Sequence, residues 1–464
     1  MGDTRTERDF LGPLEVPADA YYGVQTQRAV GNFAISGLRA PRVFIRAGGE
    51  IKKAAALTHQ DLGALEPNLA GAIVQAAEEV IAGRHDDQFV VDVFQAGAGT
   101  SHHMNLNEVI ANRANETLGG TRGTYTPVHP NDHVNMGQST NDVFPTAMRL
   151  AALMTLPDLV AEMRRLAAAL ADRAAQFEGV AKSGRTHLQD AVPVTLGREF
   201  AAYAEAVSRA AQHIEEQMTS LRELGLGGSA TGSGLNTVEG YREQVVRRLG
   251  EQTGLDLRPA EDLFEAMQSM APFVRVSGAL RTAAVELGRI ANDLRLLSSG
   301  PATGLGEIRL PAVQPGSSIM PGKVNPVIAE CMNMICFQVM GNDACIAQAA
   351  GAGQMELNVM MPVINHNLLR SVEILTNGVR MLREKCIVGI EADAARCATY
   401  LHASLGLATV LNPVIGYHRA AEVAREAAET GRSIREVVLE RGILSEEALD
   451  RLIADSLGGK APAS

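Results

Sequence analysis

Apolar residues recur every three or four positions over most of the chain beyond about Asp142. Leucine, alanine, valine and methionine hold this spacing between glutamates and arginines, which is typical of amphipathic helices with one buried face. The alternation of apolar and polar residues that indicates strands is scarce. The pattern therefore predicts a mainly α-helical protein. Its longest predicted helices span 144–176, 196–224, 271–298, 327–349 and 358–385.

Segments rich in glycine, serine and proline interrupt the helical pattern at 225–234, 299–304 and 310–322. These residues mark loops because they favour turns over helices. We predict three consecutive domains: a mixed, mostly helical one at 1–141, a central one of long helices at 142–388 and a small helical one at 389–464. The alanine and glycine content of the long helices favours the close helix approach of a packed bundle.

Composition and charge exclude several classes of protein. The 464 residues are 46% hydrophobic and 20% charged, as in globular proteins, and the formal net charge is -11. Nucleic-acid binding requires a concentrated basic surface, so we expect no such partner. Residues 1–10 are charged and lack an apolar signal region, and no stretch reaches about 18 uninterrupted apolar residues. We therefore expect no membrane span and a cytoplasmic location, where the five cysteines stay reduced.

The strongest chemical signal is the motif GSSIMPGKVNP at 316–326, which directly precedes a predicted helix. Its glycines allow backbone N–H groups to converge on an anion, while Lys323 adds a charge and Asn325 a directional donor. This combination suits a carboxylate. Five residues separate its two glycines, and Val324 stands where a Walker loop needs serine or threonine, so it is not a phosphate loop. For these residues taken alone, a surface loop capping a helix is an equal alternative.

Short hydroxyl and amide side chains form two further clusters. Thr100 lies in the motif GAGTSHHMNLNE, and Ser139, Thr140 and Asn141 lie near the end of the motif HPNDHVNMGQSTND. Donors placed ahead of a helix bind anions together with the free N–H groups of its first turn. The same run is also an ordinary helix N-cap, and the spacing alone favours the cap.

A single histidine stands out in the motif GRTHLQDA. His187 follows Thr186, and Arg185 and Asp190 lie close by in the sequence. A histidine near a carboxylate can be held as imidazolium or transfer protons, although a lone histidine is more often structural. The residues alone leave both interpretations open.

We expect neither a metal nor a dinucleotide. His102 and His103 are adjacent, and Pro130 follows His129 in the pair with His133, so no helical ligand face forms. No set of Cys, His and carboxylate residues has zinc spacing. A weak Gly-x-Gly-x-x-Ala match follows helical rather than strand-like sequence, which excludes a dinucleotide fold.

Taken in order, these motifs resemble the aspartase/fumarase superfamily over essentially the whole chain, and GSSIMPGKVNP is similar to its signature. The segment VPADAYYGVQTQRA at 16–29 resembles the aspartase and fumarase branch rather than argininosuccinate or adenylosuccinate lyases. The resemblance implies a three-domain helical lyase that acts on a small dicarboxylate without cofactor or metal. It also implies a homotetramer whose central helices form one bundle and whose active sites each draw motifs from three chains.

The resemblance further implies roles for the motif residues. Ser317 would be the catalytic base that removes a proton beside one carboxylate, and His187 would pair with Glu330. Hydroxyl donors would stabilise the resulting enediolate, while a lysine and an amide would hold the other carboxylate. The implied substrate-binding residues are Thr100, Ser139, Thr140, Asn141, Thr186, Ser318, Lys323 and Asn325.

Two short sequences bear on the substrate. GAGTS at 97–101 and QSTND at 138–142 resemble aspartases, whereas fumarases usually read GSGTQ and QSSND. The resemblance therefore favours L-aspartate ammonia-lyase, with fumarate hydratase as the alternative. His102, His103 and Met361 depart from the family pattern and bear on which leaving group is tolerated. A catalytically inert structural homologue is a third alternative, which the retained motif residues disfavour.

Overall fold

The computed structural model describes residues 3–457, and the protein is 63% helical. The prediction of a mainly α-helical fold is confirmed. The helices among the described residues are α1 (Val24–Asn32), α2 (Arg42–Asp61), α3 (Pro67–Ile81), α4 (Thr100–Thr117), α5 (Thr140–Gln176), α6 (Leu196–Met218), α7 (Tyr241–Thr253), α8 (Leu263–Gln268), α9 (Ala271–Leu297), α10 (Val327–Gly351), α11 (Met361–Lys385), α12 (Ala394–Ala403), α13 (Asn412–Ile415), α14 (Tyr417–Thr430), α15 (Ile434–Glu440) and α16 (Glu446–Leu457).

The strands in this part of the chain are short and pair into two-stranded sheets. They are β1 (Thr4–Asp9), β2 (Gly12–Pro17), β3 (Ala181–Thr186), β4 (Gln189–Thr195), β5 (Glu223–Leu224), β6 (Arg258–Pro259), β7 (Ile308–Arg309) and β8 (Glu391–Ala392). β5 and β6 pair in parallel, and the other pairs, β1 with β2, β3 with β4 and β7 with β8, are antiparallel. These sheets are too small to form a core, so helices supply it.

The five predicted long helices are present, with differences at some ends. α6 ends at Met218 rather than at residue 224, and a 3-10 turn and the short strand β5 follow it. α11 begins at Met361 rather than at residue 358. Asn358 stays outside the helix because its amide nitrogen donates to the last carbonyls of α10, those of Ala349 and Ala350, both at 3.0 Å.

The chain divides into two compact units. The first holds the described residues up to Val160 together with Gln212–Ala284 and Phe337–Leu375. The second holds Ala161–Ala211, Val285–Cys336 and the described residues from Thr376 onward. The domains at 1–141, 142–388 and 389–464 are consecutive stretches of sequence and remain a prediction; residues 1–2 and 458–464 of the outer two lie outside the described residues.

Each unit has its own apolar core. In the first, Ile73 and Ala76 of α3 and Ile110 of α4 are fully buried. In the second, Val423 of α14 and Val437 of α15 are at most 1% exposed. Apolar residues three or four positions apart line one face of each helix, and burial of that face is what stabilises it.

α5 is long and apolar enough to cross a membrane by length and composition, alone in this respect among the described helices. However, 78% of its apolar window is buried inside the protein. Burial of that kind is typical of a core helix, whose apolar residues pack against protein.

A buried carboxylate holds the start of α1. Glu108 of α4 is 1% exposed, and its oxygens accept hydrogen bonds from the N–H groups of Gly23, Gln25 and Thr26 and from the Thr26 hydroxyl, at 2.6 to 3.1 Å. The N–H groups of a first helical turn lack partners within the helix. Burial raises the pKa of Glu108 to about 7, and these hydrogen bonds oppose the rise. The carboxylate therefore caps α1 from another helix.

Replacing Glu108 by glutamine is expected to lower the free energy of unfolding by about 1–3 kcal/mol, because an amide nitrogen then faces a buried N–H donor. Urea unfolding at equal protein concentrations measures the change. Glu78→Gln is the matched control, since Glu78 pairs with Lys53 at 2.7 Å while 55% exposed, and surface ion pairs contribute at most about 1 kcal/mol. Equal losses in the two variants would contradict the capping role.

Candidate active site

Two helices begin with a threonine in the first unit, and these two threonines lie next to each other. α4 begins at Thr100 and α5 at Thr140, and their hydroxyl oxygens are 3.1 Å apart. Thr100 is exposed, whereas Thr140 is 8% exposed. Because a helix N-terminus carries unpaired N–H groups and partial positive charge, this point favours an anion. The structure thus brings together two hydroxyls predicted from separate motifs.

Ser139 caps the start of α5. Its hydroxyl accepts a hydrogen bond from the N–H of Asn141 at 3.2 Å, and its own N–H donates to the Asp142 carboxylate at 3.0 Å. This reciprocal arrangement resembles a capping box, with aspartate in place of the usual glutamate and with the hydroxyl bonded to the second rather than the third N–H of the helix. The cap that the spacing favoured is therefore present, and a substrate contact by Ser139 remains a prediction.

Asn141 and Asp142 support a glycine-rich loop that follows β5. Oδ2 of Asp142 accepts from the N–H groups of Gly227 and Ser229 at 3.1 and 3.0 Å. Nδ2 of Asn141 donates to the carbonyl of Ala230 at 2.8 Å. Burial raises the pKa of Asp142 to about 6, and the N–H donors oppose the rise. The loop therefore holds the start of α5 in position.

A buried lysine lies behind the two threonines. Lys52 of α2 is fully buried, and its Nζ lies 2.9 Å from Oδ1 of Asn135, 2.9 Å from Oε1 of Gln138 and 2.8 Å from Nε2 of His103. The other ring nitrogen of His103, Nδ1, lies 2.8 Å from the Thr140 hydroxyl. Burial lowers the pKa of Lys52 to about 7, and the negative charge of Asp142 opposes this effect. A chain of hydrogen bonds thus leads from Lys52 to a predicted substrate-binding hydroxyl.

In the second unit, Thr186 and His187 lie at the tip of the β3–β4 hairpin. His187 and Leu188 form its two-residue turn, with φ angles of +54° and +61°. Such a turn normally selects asparagine and glycine, because a larger side chain is strained in the left-handed region. Strain that persists in an exposed turn often accompanies function. The hairpin therefore presents His187 to solvent in a conformation that its sequence does not favour.

Buried charges anchor this hairpin. Glu307 is fully buried, and its carboxylate accepts two hydrogen bonds from Arg185, at 2.9 and 3.1 Å. Nζ of Lys182 lies 2.9 Å from Glu307 and 2.7 Å from Glu199. A buried carboxylate is strongly destabilising when it loses its partners. The pairs therefore bind β3 firmly to the segment that carries Glu307.

The loop ahead of α10 closes on itself. The N–H of Gly316 donates to the carbonyl of Lys323 at 2.7 Å, and Nδ2 of Asn325 donates to the carbonyl of Gly316 at 2.7 Å. A Cβ on residue 316 would lie 2.6 Å from the Lys323 carbonyl oxygen, so this close approach requires glycine. Asn325 therefore uses one amide hydrogen to close the loop.

Ser317 receives two hydrogen bonds within this loop. Its Oγ accepts from the N–H groups of Ile319 at 3.2 Å and Met320 at 3.0 Å. The loop lies at the surface, since Ile319 is 85% exposed. Two N–H groups directed at a serine oxygen form a common turn, and they also stabilise negative charge on that oxygen. The geometry is compatible with a serine that acts as a base.

Residues 12–341 match a protein-family model described as Lyase, and residues 407–454 match one described as Fumarase C C-terminus. The chain belongs to the aspartase/fumarase superfamily. The order of motifs had predicted this membership, and the match confirms it.

The relatives of this lyase carry two different activities in their names. The chain is 54% identical to the class II fumarate hydratase of Halobacterium salinarum, over 97% of this chain and 96% of the relative. It is 49% identical to the aspartate ammonia-lyase of a Bacillus species, over 97% and 96%. A crystal structure described as fumarate lyase:delta crystallin from Brucella melitensis bound to cobalt matches with a TM-score of 0.95 and 49% identity, covering 98% of this chain and 99% of that one. The family is that of lyases, and both leaving groups occur among its members.

Among the described residues of this lyase chain, no hydrogen bond or ion pair joins His187 to Glu330. Asp190, which flanks His187 in sequence, accepts instead from the N–H of Leu405 at 3.1 Å. The pairing of His187 with Glu330 therefore remains a prediction. The side chains of Ser318 and Lys323 are exposed.

No group of three or more His, Cys, Asp or Glu residues within 3–457 is placed to hold a metal ion. The histidines considered as ligands have other partners. Nδ1 of His129 accepts from the N–H of Asn131, and Nδ1 of His133 accepts from the N–H of His129. The expectation that the lyase needs neither metal nor cofactor remains a prediction.

The motifs do not single out Lys52, and they mark His103 only as a possible metal ligand and as a departure from the family pattern. A signal was available for the lysine. It lies in the apolar run IKKAAAL, at helical spacing from Gly48 and Ala55, and a lysine on a buried face needs polar partners. The identity of those partners depends on how α2 packs against α4, which local spacing does not reveal.

Proposed function

We propose that the protein is an L-aspartate ammonia-lyase that reversibly converts L-aspartate to fumarate and ammonia. The motifs GAGTS and QSTND support this proposal because they resemble aspartases. The observation that carries the fumarate-forming elimination, which both candidate functions share, is the 3.1 Å separation of the Thr100 and Thr140 hydroxyl oxygens. Elimination beside a carboxylate needs donors from separate segments around one developing anion.

Ser317 is the proposed base. It removes a proton from the carbon beside one carboxylate, and the electron pair of that C–H bond moves into the carboxylate as an enediolate. The pair then forms the C=C bond as the C–N bond breaks, and ammonia leaves. A serine hydroxyl is a weak acid, and each pKa unit it must lose requires about 1.36 kcal/mol. The N–H groups of Ile319 and Met320 at its Oγ and the charge of Lys323 are the proposed source.

The donors would divide between the two carboxylates. Thr100, Ser139 and Thr140 would stabilise the enediolate, where each preorganised donor contributes about 3 kcal/mol. Lys323 and Asn325 would hold the other carboxylate through a charge and a directional hydrogen bond. This division is proposed from the resemblance and from the meeting of α4 with α5.

The remaining motif residues would surround the leaving group. Asn141 and His187 would face the amino group, and Glu330 would orient the ring of His187 through a hydrogen bond. Thr186 and Ser318 would complete the binding surface. In an ammonia-lyase the amine arrives already protonated and leaves as neutral ammonia, so no electron sink is required.

We also propose a cytoplasmic homotetramer in which central helices, from 142–388, form one bundle and each active site draws residues from three chains. Exposed apolar side chains on α10 support this assembly. Met334 is 67% exposed and Phe337 is 64% exposed, and large apolar groups close together on a surface favour burial against a partner. In such an assembly His187 would meet Glu330 of another chain.

Fumarate hydratase is the second candidate function. The 54% identity to the Halobacterium salinarum enzyme favours it. The same base and enediolate donors would serve, and the hydroxyl of L-malate would leave as water after it takes a proton from a group that faces it, a role that His187 could fill. The two functions therefore differ only in the groups that face the leaving atom.

Purified protein is expected to form fumarate from L-aspartate faster than from L-malate. Ultraviolet detection of fumarate with each substrate in parallel measures both rates, and ammonia release checks the first. Ser317→Ala protein, prepared in the same way, controls for lyases of the expression host. Fumarate from L-malate alone would overturn the ammonia-lyase in favour of the hydratase, and inertness toward both would support a structural homologue.

A further inference from the structure

The partners of Lys52 determine the direction of the hydrogen-bond chain to Thr140. In its charged form, which the nearby Asp142 carboxylate favours, Lys52 is an ammonium with three donors and no acceptor, so each group that it contacts must accept. Nζ has three such contacts, at 2.8 to 2.9 Å: Oδ1 of Asn135, Oε1 of Gln138 and Nε2 of His103. A neutral imidazole carries one proton, which must then sit on Nδ1. Nδ1–H of His103 therefore donates to the hydroxyl of Thr140 at 2.8 Å.

The orientation of the two amides is determined independently of the lysine. Nδ2 of Asn135 donates to the carbonyl of Gln138 at 3.2 Å, and Nε2 of Gln138 donates to the carbonyls of Val134 and Met136 at 3.2 Å. A carbonyl only accepts, so both amide nitrogens face these carbonyls. Both amide oxygens must then face Lys52, which is the donor to each.

We propose that Lys52 and His103 are positioning residues that hold the Thr140 hydroxyl as a hydrogen-bond donor toward a substrate carboxylate. A hydroxyl has one hydrogen and two lone pairs, and Nδ1–H of His103 occupies a lone pair from the buried side. The Thr100 hydroxyl donates to the other lone pair at 3.1 Å, so the hydrogen of Thr140 is left to point away from both groups. The inference rests on the proposed function, because it places a carboxylate at Thr140.

A fixed donor stabilises a transition state more than a freely rotating one does. When negative charge develops on the enediolate, a hydroxyl already pointing at it needs no reorientation. The network around Thr140 is buried, since His103 is 2% exposed and Lys52 fully buried, and hydrogen bonds polarise one another more strongly in such surroundings. The effect is therefore expected on kcat more than on KM.

The adjacent histidine provides a matched control. His102 lies on the same helix and is 4% exposed, but its ring packs against aromatic rings, those of Phe44, Phe89 and Phe144, with centroids 4.9 to 6.3 Å apart. It takes no part in the chain from Lys52 to Thr140. If a loss of kcat/KM comes only from disturbing this buried helix face, variants of both histidines should therefore show it.

The test compares His103→Leu in the wild-type protein and in a Thr140→Val background. With whichever of L-aspartate or L-malate the wild type converts faster, His103→Leu is expected to lower kcat/KM about tenfold, a magnitude usual for coupled neighbours. In the Thr140→Val background the same change should cause no further loss, because the hydroxyl it acts on is absent. His102→Leu measures the loss that comes from disturbing this buried helix face, and it is expected to lose clearly less than His103→Leu and to lose the same amount in both backgrounds.

Equal losses from His103→Leu in both backgrounds would overturn the inference, since they would indicate a merely structural role. If His103→Leu left kcat/KM unchanged while Thr140→Val lowered it clearly, the positioning role would be overturned and the proposed function would stand. No loss from Thr140→Val would overturn it together with the proposed role of Thr140 in catalysis. These outcomes separate failure of the positioning role from failure of the proposed function.

Two further measurements apply if His103→Leu does not fold. His103→Asn places an amide nitrogen where Nδ1 lies, and it is expected to keep kcat/KM within about threefold of the wild type. Neutron diffraction from deuterium-exchanged crystals of the full chain should show deuterium on Nδ1 of His103 and three deuterons on Nζ of Lys52. Deuterium on Nε2 instead would reverse the chain and overturn the inference.

Discussion

Replacing Ser317 by alanine is expected to lower kcat by about 10³- to 10⁴-fold, near the upper range that a general base contributes. KM should change little, because the alanine removes the proton acceptor and leaves the proposed carboxylate contacts in place. The loop should stay closed, since its closure depends on the backbone of Gly316 and Lys323 and the amide of Asn325, while the N–H groups of Ile319 and Met320 lose their acceptor. Steady-state kinetics that follow fumarate formation provide the measurement.

A second variant separates loss of the base from disturbance of the loop. Val313 lies in the same loop, is 41% exposed and has no proposed role, so Val313→Ala should keep kcat within about twofold of the wild type. Near-normal turnover in Ser317→Ala would remove Ser317 from the role of base. Large losses in both variants would attribute the effect to the loop instead.

Replacing Thr140 by valine is expected to lower kcat by about 10²- to 10³-fold, the loss usual for one donor of an oxyanion site. Valine keeps the shape of threonine but cannot donate a hydrogen bond to the enediolate. Thr155→Val is a control on the same helix, because the Thr155 hydroxyl donates to helix carbonyls, those of Ala151 and Ala152, at 2.9 and 3.2 Å. Steady-state kinetics with the preferred substrate measure both variants.

The contact between the two threonines makes a further result testable in the same experiment. Their hydroxyl oxygens are 3.1 Å apart, and residues in contact show non-additive effects. The double variant of Thr100→Val and Thr140→Val should therefore lose less than the product of the two single losses. Strictly independent losses would indicate that the two hydroxyls act at separate places.

The long helices were predictable because helix formation depends on contacts a few residues apart. The pattern that predicted α9 at 271–298 and α10 at 327–349 is a three- and four-residue recurrence of apolar side chains. The ends were less predictable. α11 begins after Asn358 because that amide bonds to the end of α10, a contact that apolar spacing does not encode.

The candidate chemistry was visible as residue types in short motifs. A glycine-bearing loop with Ser317 and Lys323, and a run of hydroxyls before α5, are groups suited to a carboxylate, and the order of these motifs indicated the family that the match to residues 12–341 shows. Whether the leaving group is an amino group or a hydroxyl was harder to predict from the sequence. It depends on small differences in contact geometry, and relatives of both activities share about half of this sequence.

By itself, the sequence determined that this protein is a helical lyase and which side chains could carry its chemistry, because periodicity and motif composition are local properties of the chain. Tertiary structure alone decided that Thr100 meets Thr140 and that His103 joins Thr140 to Lys52. These groups come from three helices, and hydrogen bonds form only where packing brings donor and acceptor within about 3 Å. Burial then leaves each polar group with few possible partners, and this restriction determines which group donates and which accepts in the hydrogen bonds from Lys52 to Thr140.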